Sequence, residues 1–181
     1  MRNWAISPKG FLATLPILAA LWISGTAQPS VKVAPMDAVG PRPVEQQTQS
    51  SVVRDYLQAW QTLSGAMSQN RADLLDASFV GVAKDKLLDT IREQQKLGIQ
   101  TSYRDLSHNL EVVFYSPEGL SLQLLDSVEY DVEVSDHGKT LGTQHVRTRY
   151  VAVLSPTESK WKVRVLQSDG LRNSDPDLSR Q

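Results

Sequence analysis

The sequence predicts an α+β fold in which three N-terminal helices pack on one face of a curled, antiparallel four-stranded sheet. Two observations carry that expectation. The spacing of apolar residues is three to four as far as Gly98 and becomes two from Ile99 onward, the change expected where helices give way to strands. Within the second part, three turns bearing Pro or Gly separate four long alternating runs, which describes an antiparallel meander.

Taken in order, the chain opens with a segment outside this domain. Arg2 and Lys9 precede the apolar run Phe11 to Ile23, and the small residues of Ser24 to Gln28 follow. That is the order of a secretory signal, with Gly25 and Ala27 at the -3 and -1 positions of a cut before Gln28. The run is 13 residues long, where a spanning helix needs about 20. Residues 1–27 therefore read as a signal peptide, with an uncleaved N-terminal anchor as the alternative. Both readings place the folded part outside the cytoplasm, periplasmic or secreted if cleaved and membrane-bound if not. Residues 28–50, with Pro29, Pro35, Pro41 and Pro43, read as an extended linker.

The domain is expected over 51–168. Val53, Tyr56, Trp60, Leu63 and Met67 fall on one face of a first helix. Asn70 is placed to cap a short second helix over Arg71 to Ala77. A third helix carries Leu87, Leu88 and Ile91 on one side, mixed charges on the other, and stops at Gly98. The tail, 169–181, is polar.

In the strands, Leu106, His108, Leu110, Val112 and Phe114 share the first apolar register. The next run, LQLLDSVEYDVEV, has Asp126 in its apolar register between Leu124 and Val128. A loop closing Ser116 on Leu120 sets Leu110 opposite Asp126 and His108 opposite Val128. A loop closing Val134 on Thr140 sets Asp126 opposite Thr148 and Leu124 opposite Tyr150. A one-residue slip inverts a face, so these registers decide which groups meet. They gather Asp126, His108, Tyr130, Thr148 and Tyr150 on the concave face.

Three helices followed by a strongly curled antiparallel sheet resemble the nuclear transport factor 2-like, or polyketide-cyclase-like, superfamily. The resemblance spans Ser51 to Gln167 and rests on element order and length, with YLQAW (Tyr56 to Trp60) and WKVRVL (Trp161 to Leu166) at the expected ends. It implies a cone-shaped roll. It also implies either small isomerases and dehydratases with a site inside the cone, or non-catalytic carriers and assembly modules, and it assigns no residue a role.

Two functional readings follow. The first is an exported, non-catalytic ligand-binding or protein-assembly module, with Tyr130, Thr148 and Tyr150 as ligand-facing candidates and an apolar small molecule, a protein or a second copy through the sheet as partner. The second is a cofactor-independent lyase or isomerase in which Asp126 and His108 exchange protons, because burial lifts a carboxyl pKa toward neutrality. The absence of cysteine excludes disulfides, thiolate metal sites and a cysteine nucleophile. A net charge of -1 gives no nucleic-acid footprint and no attraction to anionic lipid, so membrane contact is expected only through an uncleaved N-terminal run. No phosphate-binding, dinucleotide or zinc-hydrolase motif occurs, and His108, His137 and His145 are dispersed, so no cofactor or metal is expected.

Overall fold

A computed structural model of the chain describes residues 28–36 and 39–169. The signal or anchor reading and the tail beyond Asp169 lie outside the described residues. The first departure from the sequence reading comes at once: Ser30–Val33 is a strand, β1, where a linker was expected. It lies parallel to the centre of β2 (Ile99–Tyr115), with Val31 opposite His108 and Val33 opposite Leu110, and Ala34 N–H donates to the Leu110 carbonyl at 2.8 Å. Beyond it, Met36 and Val44 are buried in the core. Four residues in a Pro-rich setting carry no usable alternation, which is why sequence periodicity missed them.

Helix α1 spans Gln46–Gln69 and begins before the expected Ser51, because QQTQS extends the helix without an apolar stripe. Val52, Tyr56, Ala59, Trp60, Leu63 and Met67 form its buried face. It ends at Asn70, whose backbone is left-handed (φ 51°) and whose side chain donates to the Ile99 carbonyl at 2.8 Å. Asn70 thus closes the first helix, a role open to Asn because it tolerates this conformation. It does not open the second, which is a 3₁₀ turn, Ala72–Ala77. Helix α2, Gly81–Leu97, stops at Gly98 (φ 71°) as expected.

The sheet has five strands in the order β1-β2-β3-β4-β5, one more than the meander predicted. Strands β3 (Leu122–Asp136), β4 (Lys139–Pro156) and β5 (Trp161–Ser168) follow β2 antiparallel. Two bulges in β2 alter its facing. Past the first, Asp105 is opposite Tyr130 while Ser107 is opposite Glu129, so Asp105 and not Leu106 shares the inner register. The second passes Val113 and sets Phe114 opposite Gln123, which turns this phenylalanine to the outer face. An extra residue on one strand reverses the alternation beyond it.

The β3–β4 connection also differs from the expected loop. It is a two-residue turn with both central residues at positive φ, His137 at 46° and Gly138 at 78°, closing Asp136 on Lys139. Such turns match the right-handed twist of the strands they join. A shift between Val134 and Ser135 then pairs Asp126 with Tyr150, Val128 with Thr148 and Leu124 with Ala152. The displacement is two residues from the expected register, so the faces are kept and the partners change.

The N-terminal segment is part of the fold, and that is testable. Met36→Ala, at a site 2% exposed, is expected to cost about 2–5 kcal/mol in denaturant titration, as buried Met truncations do. A linker position would leave the midpoint unchanged.

Candidate functional site

Helix α1 lays Tyr56 and Trp60 over the concave face of β2, β3 and β4, and the aspartate in the apolar register of β3 finds its partners there. The Tyr56 hydroxyl donates to Asp126 Oδ2 at 3.0 Å, and His108 Nδ1 lies 2.8 Å from the same oxygen. Asp126 is 0% and His108 1% exposed. Two donors on one carboxylate oxygen compensate much of the desolvation that burying it costs. His108 Nε2 faces Asp105 Oδ2 at 3.8 Å, beyond hydrogen-bond reach, so the imidazole stands between two carboxylates.

Four aromatic rings close around this cluster. Trp60 lies 5.4 Å from the His108 ring, 5.9 Å from Tyr130 and 5.4 Å edge-on from Tyr150. Tyr103 meets Tyr130 at 5.7 Å, and the hydroxyls of Tyr130 and Tyr150 share a 3.2 Å hydrogen bond. Edge-on and tilted contacts of this kind add to the area that the rings bury. On another side, Tyr56 and Trp60 of α1 close against Phe79, Val163 and Leu166 without room for a water molecule.

The site residues named from sequence divide accordingly. Asp126, His108, Tyr130 and Tyr150 come together. Thr148 does not join them: it is paired with Val128, and its hydroxyl is 3.3 Å from that of Ser168. The two-residue turn and the register shift beside it moved Thr148 along the strand from its expected place. Tyr56, read as core, proved to be the second donor to Asp126, and Asp105 was hidden by the bulge that brings it inward. A helix stripe with a hydroxyl at its centre, facing a strand with a carboxylate, was the signal available for Tyr56.

Electrostatics follow the geometry. Burial disfavours the charged imidazolium, but the carboxylates of Asp105 and Asp126 on either side outweigh it, and the His108 pKa rises to about 9. Burial, followed by the charge of Asp126, holds Tyr56 well above the ordinary phenol value. Burial likewise raises Tyr103, Tyr130 and Tyr150. These phenols stay protonated at neutral pH; Tyr56 donates to Asp126, and one of Tyr130 and Tyr150 donates to the other.

Beside β1 the cluster reaches a cleft of about 240 Å³, lined by Leu57 and Gln61 of α1, by Pro29 and Val31, and by Asp105 and His108. His108 Nε2 and Asp105 Oδ1 are buried there without a hydrogen-bond partner. Among the described residues, no group of three metal-ligating side chains is arranged to hold a metal ion.

No protein-family model matches the sequence, and no curated protein matches it. Solved structures do. The intermembrane space region of chloroplast protein ARC6 superposes with a TM-score of 0.56 at 19% identity, covering 71% of this chain and 98% of that one. A candidate scytalone dehydratase from Novosphingobium aromaticivorans gives 0.48 at 16% identity over 68% and 88% of the two chains. A candidate dehydratase of the NTF2-like family from Streptomyces avermitilis gives 0.44 at 11% over 66% and 96%. The first shows a shared fold and nothing finer. The other two stand as likenesses only, one bearing the family name that the element order suggests.

The raised His108 pKa fixes a pH dependence. Its stabilising contribution is complete below the unfolded value near 6.5 and is lost as pH rises through about 9. At about 1.4 kcal/mol per pKa unit, the loss between pH 6 and pH 10 is about 3 kcal/mol. Urea titrations across that range are expected to show this decline in the natural chain and not in His108→Gln. Parallel profiles for the two would mean that the imidazole is not held between the carboxylates.

Proposed function

We propose that the chain is a non-catalytic assembly module, working outside the cytoplasm, that docks through the outer face of its sheet against a second copy. The observation that carries this reading is Phe114. Regular alternation would bury it, yet the bulge at Val113 turns it outward, where it is 39% exposed beside Val113 at 38%. The strand register sets it in one row with Gln123, Val153 and Val165, next to a row containing Leu125 and Val151. A contiguous apolar patch on a sheet face marks an interaction surface.

A second copy is the partner because the surrounding rows carry both signs of charge. Arg147 pairs with Glu129 at 2.9 Å, His145 bridges Glu129 and Asp131 at 2.9 and 2.7 Å, and Arg149 pairs with Asp169. An isologous contact needs a surface complementary to itself, and a face with alternating acids and bases meets that condition.

A second reading has its own observation. His108 Nε2, unpartnered and lining the 240 Å³ cleft, is the arrangement a lyase or isomerase uses when a carboxylate behind an imidazole fixes its orientation. On that reading His108 acts as acid and Asp105 as base on a small apolar substrate.

Sedimentation of the chain over a range of concentrations tests the first reading. A monomer–dimer equilibrium is expected, with Phe114→Asp shifting it at least about tenfold, or 1.4 kcal/mol, toward monomer while the circular dichroism spectrum is kept. A natural chain that stays monomeric at every concentration overturns it. Turnover of a small hydroxy-carbonyl compound that disappears in His108→Gln would instead favour the second.

A further inference from the structure

The cleft beside β1 carries a charge that its own residues do not balance. Asp105 and Asp126 are two carboxylates on one buried imidazole, so protonation of His108 offsets only one of them. Of the nearest cations, Arg104, adjacent in sequence to Asp105, pairs with Asp131 on the outer face of the sheet, and Lys32 of β1 stands opposite Asn109, one residue out of register with Val31. From α1 the cluster meets Tyr56 and Trp60, and from β3 and β4 it meets Tyr130 and Tyr150, none of which brings a positive charge. A buried carboxylate without a compensating cation is costly. Asp105 Oδ1 also lacks any hydrogen-bond donor, and the 1%-exposed His108 offers an unpartnered Nε2 to the same cleft.

We propose that this cleft binds a small primary ammonium compound, with the ammonium group paired with the Asp105 carboxylate in the cleft wall and a short apolar body lying against Leu57, Val31 and Pro29. An ammonium supplies both the missing donor and the missing positive charge. A neutral alcohol supplies the donor alone, and a carboxylate adds to the imbalance. The volume, 240 Å³, holds about eight waters at about 30 Å³ each, which suits a ligand the size of benzylamine. The raised His108 pKa agrees with an excess of negative charge at this spot.

The same chemistry has a second source within the chain. Gln28 also lines the cleft, so a signal cut before it would place a new α-ammonium group at the site. The ammonium site is independent of docking through the sheet face, and its test does not depend on the oligomeric state.

The test uses the full chain, with benzylamine, benzyl alcohol and benzoate as probes in isothermal titration and thermal melts at neutral pH. Benzylamine is expected to raise the melting temperature and to bind at least about tenfold more tightly than benzyl alcohol, with benzoate weaker still. Asp105→Asn, which keeps the shape and removes the charge, is expected to abolish the preference. Leu57→Trp, which fills the cleft and leaves the charges alone, is expected to abolish binding, so a folding failure in one variant does not remove the test. The same titration on exported chain beginning at Gln28 separates the sources. A response in both forms assigns the site to a free amine, and a response only in the uncut chain assigns it to the chain's own terminus. Equal binding of amine and alcohol, benzylamine binding that survives both substitutions, or no response in the uncut chain overturns the proposal.

Discussion

Asp126 Oδ2 accepts hydrogen bonds from a helix and from a neighbouring strand in a place from which water is excluded. Tyr56 brings α1 to it and His108 brings β2. Hydrophobic burial has no preferred direction and would allow the helix to slide or rotate over the sheet. Two charge-assisted hydrogen bonds to one buried atom do not, because any displacement removes a donor from a carboxylate whose other oxygen, Oδ1, already has none. The aromatic rings around the cluster then pack against a helix whose position is already fixed.

The two bulges of β2, one at its middle and one near its end, act in opposite senses. The first carries a carboxylate inward, to Asp105, and creates the charged side of the cleft; the second carries a phenylalanine outward and creates the apolar side of the outer face. Both candidate surfaces therefore arise from a departure from strict alternation. Regular strands would have buried Phe114 and left Leu106 where Asp105 now stands.

Sequence periodicity made most of the architecture legible, and the exceptions share a cause. Helices α1 and α2 and the meander β2 to β5 repeat their pattern over many residues, so single deviations do not obscure them. The pairing of His108 with Val128 and Leu110 with Asp126 was legible too, although the turn is a residue longer than expected and the Val113 bulge restores the register. Single-residue events were not legible: the left-handed Asn70, the two-residue turn at His137 and Gly138, and the inward Asp105. Each depends on a backbone conformation that several residue types adopt. Strand β1 escaped because its stability comes from β2 and not from its own composition. The site was half visible, as an aspartate and a histidine on one face, while Tyr56 required knowing which helix face met which strand.

Since Ser30 is already hydrogen-bonded into the sheet, the stretch once available as a spacer after Ile23 shrinks from the 27 residues 24–50 to the six residues 24–29. Six residues reach at most about 20 Å. In an anchored chain, a leash of that length would keep the body from diffusing far from the bilayer. Encounters between anchored copies would be confined to a thin layer, where a weak contact meets a high local concentration.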